Sequence, residues 1–198
     1  MSRLVLFDFD GTITTKDTLL EFIRFYHGTG KFLAGFALNS PWLVLMKLKA
    51  IPNWRAKEKI LEWFFAGEEI ARFDKRSDQF CREKVPGLIR EEALKTIRQH
   101  QSEGATVVVV SASAVNWVEP WCKAHHLPCI ATQLEVKDGR ITGRIKGINC
   151  YGPEKESRIR AAYVLNDYDE ILAYGDSKGD REMLALASQK FYRPFRSK

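Results

Sequence analysis

The sequence has no long hydrophobic run. Its longest weakly charged stretch, Phe32 to Met46, falls short of the roughly 20 residues needed to span a bilayer and contains Pro41. The apolar run at the start, Leu4 to Phe7, is cut off by Asp8 and is too short for the core of a secretion signal. A cytoplasmic location is therefore expected. Cysteine is scarce as well. Cys81, Cys122, Cys129 and Cys150 include no Cys-x-x-Cys pair, which speaks against a zinc site and for buried free thiols in a reducing compartment. The histidines His27, His100, His125 and His126 show no ligand spacing and are assigned surface or helix-end roles. There is no internal repeat and no low-complexity segment, and nothing in the composition points to disorder.

What is present fits one domain, or a core with a modest insertion, in 198 residues. An apolar fraction of 45% can bury a real core, and 28% charge keeps the surface polar. The net charge of +6 favours contact with anions.

Strands are signalled at Arg3 to Phe7, at the β-branched run Thr106 to Val110, at Ile171 to Tyr174, and at Phe191-Tyr192 as an edge. Helical patterns lie between them, at Leu88 to Glu103, from a Ser113 cap to His125, and from Pro153 to Leu165. This alternation predicts an α/β fold with a Rossmann-like, doubly wound parallel sheet. Asp138-Gly139, between two alternating runs, predicts a hairpin within Leu134 to Ile148.

Residues 14–85 carry no strand signal. A helix starting at Asp17 or Thr18 and stopping at Gly28, another from Ser40-Pro41, a third from Asn53 to Gly67 and a fourth with Ile70, Phe73 and Phe80 predict an all-helical insert. Residues 1–13 and 86–198 then form the α/β core. Trp42, Trp54 and Trp63 are read as core of the insert.

The chemistry concentrates at predicted strand ends. Asp8 and Asp10 follow the first strand, and Gly11 lets the backbone turn so that both carboxylates face one site. A carboxylate is a competent nucleophile toward phosphorus, and a second can act as acid and then base. Alone, Asp-x-Asp-Gly is equally a strand-ending turn. Ser111 ends the valine run, Lys155 sits in the first turn after Pro153 and suits a phosphate oxygen, and Asp176 and Asp180 follow another apolar strand as hard-cation ligands. Together they compose a nucleophile, an acid/base, a phosphate clamp and a metal site.

These four elements, in this order, resemble the haloacid dehalogenase superfamily. The helical insert after the first motif, and Ala131-Thr-Gln-Leu-Glu135 leading into Asp138-Gly139-Arg-Ile-Thr-Gly143, resemble its phosphoserine-phosphatase-like branch. The resemblance implies a phosphatase that hydrolyses a small-molecule phosphate monoester through an aspartyl phosphate on Asp8, with Mg2+ as cofactor. Asp10 would be the general acid/base. Gly11, Thr12, Ser111, Ala112 and Lys155 would hold the phosphoryl group, and Asp8, Asp10 (through its carbonyl), Asp176 and Asp180 the metal. Dehalogenases of the superfamily lack the second carboxylate, so Asp10 favours phosphoryl chemistry.

The phosphoserine phosphatases carry a Glu where this chain has Asp17, which reads as a helix cap or as a substrate contact. A capped site suits small molecules, so nucleic acid is not expected as partner. The same intermediate would also serve a phosphotransferase. The apolar stretch 32–46, flanked by Lys31, Lys47 and Lys49, is read as packing inside the cap; its alternative is weak contact with a membrane surface, with a lipid phosphate as substrate, as in phosphatidylglycerophosphate phosphatases.

Overall fold

A computed structural model describes residues 2–196 of the chain. Five parallel strands form the central sheet: β1 (Arg3–Phe7), β2 (Thr106–Ala114), β3 (Cys129–Thr132), β6 (Glu170–Gly175) and β7 (Gln189–Tyr192), in the order β3-β2-β1-β6-β7. The remaining two, β4 (Leu134–Lys137) and β5 (Arg140–Ile145), make an antiparallel hairpin. Asp138 and Gly139 at its tip both take positive φ, 50° and 74°, as a tight two-residue turn requires.

Side chains of the parallel strands alternate between two apolar layers because successive residues point to opposite faces. Val5, Phe7, Val107, Val109, Leu172 and Tyr174 pack with α5 (Glu91–Ser102) and α6 (Val115–Ala124). Leu4, Leu6, Val108, Val110 and Ala173 pack with α7 (Pro153–Ala162) and α8 (Arg181–Leu186). The core is thus a doubly wound α/β layer, as the strand–helix alternation predicts.

The insert comprises α1 (Thr18–Leu38), α2 (Ser40–Lys47), α3 (Asn53–Phe65) and α4 (Ile70–Glu83). Gly28 breaks α1 with φ 78° and ψ 167°, where the sequence places a stop. Phe22 centres the insert's core: the rings of Phe65, Phe73, Phe80 and, from α6, Trp117 lie 4.7–5.5 Å from it.

Several expectations are corrected. Trp42, Trp54 and Trp63 are exposed, at 38%, 42% and 37%, because phenylalanines fill the cap interior. Lys59, Arg55 and Lys31 lie over their outward rings instead. Only a stripe of the apolar stretch packs inward, with Phe32, Phe36 and Leu43 against the core and Leu33, Leu38, Val44 and Leu45 exposed. Ser113 caps no helix: β2 runs on to Ala114, and the Ser113 N–H donates to Ser111 Oγ at 3.0 Å. The helix expected from Leu88 starts at Glu91, and that from Pro153 ends at Ala162 rather than Leu165. Strand β3 was not signalled. The four cysteines are free, and Cys81, Cys122 and Cys150 are buried.

The hairpin braces the cap. Ile141 exchanges backbone hydrogen bonds with residues 67 and 68, the Ile145 N–H donates to Glu58 Oε1 at 2.9 Å, and Gly143, at φ 86°, lies where a Cβ would come within 2.3 Å of the Glu62 backbone. Gly143→Ala should therefore cost about 2–4 kcal/mol, strain and clash together. Gly139→Ala, equally left-handed but in open space, should cost only about 1–2 kcal/mol. Chemical denaturation of both variants checks the difference; equal losses would mean the hairpin does not press on α3.

Candidate active site

Strand β1 lies between β2 and β6, so the chain reverses direction across the sheet there, and the crevice at such a switch point opens beyond the strands' C-terminal ends. Asp8 follows β1, Ser111 ends the valine run of β2, and Asp176 follows β6. The register sets these ends side by side, Phe7 pairing with Val109 and with Tyr174. Asp8 is held further by its own N–H, which donates to Tyr174 O at 2.9 Å.

Lys155 reaches this edge from the first turn of α7. Its ammonium is buried and donates to Asp8 Oδ1 (2.6 Å), Asp180 Oδ1 (2.7 Å) and Val110 O (2.7 Å). Burial lowers its proton affinity, but Asp8 and Asp180 together outweigh that and hold it above the ordinary lysine value. Asp180 Oδ2 accepts from the N–H groups of Asp176 and Ser177 and from the Ser177 hydroxyl. Burial would raise Asp180, yet Lys155 and these donors keep it below the usual carboxylate range. Asp8 is different. Burial dominates over Lys155, with Asp180 and Asp10 adding repulsion, and its carboxyl is pushed up to about 8.

Asp10 is set by α1. Its Oδ1 accepts from both the N–H and the hydroxyl of Thr18 at 2.6 Å, while Ser111 Oγ approaches Oδ2 at 3.4 Å. Gly11, at φ 81°, has no room for a side chain because Asp176 Oδ2 would lie 2.4 Å from a Cβ. Asp176 in turn is gripped by Arg196, on Oδ2, and by Arg193, on its carbonyl.

These groups floor a cavity of about 420 Å³. Asp8, Asp10, Asp17, Ala112, Lys155, Asp176 and Asp180 all line it. Ser111, Gly11 and Thr12 do not: Ser111 is fully buried behind Asp10, and the buried Thr12 hydroxyl finds no protein partner. Asp17 caps α1, accepting from Leu19 N (3.0 Å) and Leu20 N (3.3 Å), and it lines the cavity. Leu19, Phe36, Leu43, Met46 and Ile60 form an apolar roof from the cap. Lys57 was not foreseen. It crosses from α3 to donate to Ala112 O (2.6 Å) and Asn149 Oδ1 (3.2 Å), and burial pushes it down to about 8 against the pull of Asp10 and Asp17. Nothing local in the sequence singles out Lys57, Asn149 or Arg196.

Asp8, Asp176 and Asp180 each present a carboxylate oxygen within 4.8 Å of the others. Asp8, Asp10, Asp17, Asp176 and Asp180 line the cavity beside Lys57 and Lys155, while Arg193 and Arg196 hold Asp176 from outside it. Acidic groups outnumber the basic ones that line the cavity, and an all-oxygen donor set suits a hard divalent cation. The residues fit such an ion.

A sequence model of haloacid dehalogenase-like hydrolases matches residues 5–185. Protein CicA of Caulobacter vibrioides is 34% identical over 197 residues, covering 98% of this chain and 87% of its own. The solved structure of a protein of unknown function from Bordetella pertussis Tohama I superposes with a TM-score of 0.83 at 23% identity, over 96% of this chain and 89% of that one. A substrate-bound phosphoserine phosphatase superposes with a TM-score of 0.64 at 22% identity, over 97% and 86%. The last two likenesses concern the fold.

The raised Asp8 carboxyl has a consequence for the metal-free protein. A group that holds its proton more tightly when folded adds stability below its free value, near 3.8, and loses it as the pH climbs through about 8. Metal-free stability should fall across that window, and Asp8→Asn should flatten the decline. Urea denaturation in chelator at several pH values checks this; an unchanged slope in Asp8→Asn would refute it.

Proposed function

Since this chain belongs to the haloacid dehalogenase-like hydrolases, we propose that it is a Mg2+-dependent phosphatase that cleaves a phosphate monoester through an aspartyl phosphate on Asp8. The observation that carries the reading is the pairing of a buried, Lys155-held carboxylate with a second carboxylate, Asp10, whose orientation Thr18 fixes.

In the first half-reaction a carboxylate oxygen of Asp8 forms a bond to phosphorus as the ester P–O bond breaks. Lys155 fixes the rotation of that carboxylate and offers positive charge to the transferring group. Asp10, whose Oδ1 is held by Thr18, would deliver a proton to the leaving oxygen through Oδ2. In the second half-reaction Asp10 takes a proton from water as the water oxygen attacks phosphorus, freeing Asp8 and inorganic phosphate. Asp8, Asp176 and Asp180 would hold Mg2+, which offsets negative charge on the phosphoryl oxygens. The Asp10 carbonyl belongs to the same proposed ligand set, and Gly11, Thr12, Ser111, Ala112 and Lys155 belong to the proposed phosphate site.

The cap roof defines the leaving group. Its apolar side chains favour an alcohol with an apolar body, and Asp17 and Lys57 are charged groups beside it that would help select it. This favours a small phosphate ester over a macromolecule.

Asp8→Asn should abolish phosphate release from p-nitrophenyl phosphate, and Asp10→Asn should lower kcat by about 10²–10⁴-fold. Chelation should stop turnover and added Mg2+ restore it. Undiminished turnover in Asp8→Asn would remove the basis of the proposal.

A further inference from the structure

We propose that the outer face of the cap, formed by α2 and the adjoining parts of α1 and α3, docks on an anionic lipid surface. This goes beyond the phosphatase reading and does not depend on it. No helix among the described residues is long and apolar enough to cross a membrane, so the contact is interfacial.

The first observation is where the charge resides. Between Glu21 and Glu58 there is no acidic residue, while Arg24, Lys31, Lys47, Lys49, Arg55 and Lys57 are basic. Those six charges equal the net +6 of the whole chain; the other 25 basic residues are matched by its 25 acidic ones. Lys57 turns inward to Ala112, but Lys31, Lys47, Lys49 and Arg55 are exposed.

The second is the apolar surface between those cations. Helix α2 contains no buried residue. Its inner side, Leu43 and Met46, walls the cavity. Its outer side shows Val44 and Leu45, at 54% and 37%, with Leu48 just beyond at 71% and Leu33 and Leu38 of α1 at 60% and 66%. Trp42 of α2 and Trp54 at the start of α3 are half exposed as well, each beneath a cation. Exposed aliphatics bordered by tryptophan and rimmed by lysine match the two zones of a lipid interface, hydrocarbon beneath anionic headgroups.

Charge also selects among occupants. A second copy of the chain would bring two acid-free faces together, which like charge opposes. Nucleic acid would satisfy the cations but would leave Leu33, Leu38, Val44 and Leu48 without a partner, since stacking needs ring faces.

Cosedimentation with phosphatidylcholine vesicles, with and without phosphatidylglycerol, tests the docking. The wild-type chain should sediment with the phosphatidylglycerol vesicles at low salt, and added salt should release it. Val44→Asp/Leu48→Asp and Lys47→Glu/Lys49→Glu should each weaken partitioning by at least about tenfold. Thermal melts like that of the wild type would show both variants folded, without recourse to turnover. A wild-type chain left in the supernatant at low salt overturns the proposal. So does wild-type partitioning by both folded variants, or a wild-type dimer that these substitutions dissociate.

Discussion

The buried ammonium of Lys155 is the interaction on which the site depends. One side chain from α7 ties the loop after β1 to a main-chain carbonyl of β2 and to Asp180 beyond β6. Taking a cation and two carboxylates out of water is costly, and such clusters seldom repay the cost in stability alone. Its worth here is positional: the strand ends cannot shift against one another without leaving a buried charge unpaired. The sheet order β2-β1-β6 makes a single lysine long enough to reach all three.

That cluster leaves work for the cap. The α/β core supplies the carboxylates and Lys155 but offers little apolar surface to a leaving group. Helices α1 to α3 add it, with Lys57 crossing back to the carbonyl of Ala112. The cap is fastened elsewhere, by Phe22 stacking on Trp117 at 4.7 Å and by the hairpin bonded to residues 67 and 68. Its anchorage and its ligand-facing wall are therefore different residues, which lets the wall vary without loosening the fold.

How much of this is legible in sequence follows from how local each signal is. The Val107–Val110 run, the Asp138-Gly139 turn and the Gly28 break declare themselves because backbone preference over a few residues decides them. Strand β3, four residues with Pro128 before it, has too short a pattern to show a period. Ser113 misleads because a serine suits a cap and a strand end alike. The tryptophans mislead because bulk suggests burial, whereas cations over their rings satisfy them at the surface. Asp8, Asp10, Lys155, Asp176 and Asp180 are legible as a set because strand ends gather at one edge of a parallel sheet. Lys57 and Arg196 arrive from a cap helix and from beyond the last strand, and no spacing rule connects them to that edge.

The floor of the cavity and the outer face of the cap carry opposite charge for separable reasons. The floor is acidic because oxygen ligands and an acid/base pair must converge there, and without a cation it would repel the phosphate ester it is meant to take. A cation bound there and a phosphate ester would then each raise the affinity for the other. The acid-free stretch between Glu21 and Glu58 cannot offset that negative floor, since its outward cations lie in water where screening is strong. Lys57 of that stretch faces inward, beside Asp10 and Asp17, and there the low polarity of the roof lets one charge count. The other basic residues of that stretch, Arg24, Lys31, Lys47, Lys49 and Arg55, are exposed and act on whatever the molecule approaches.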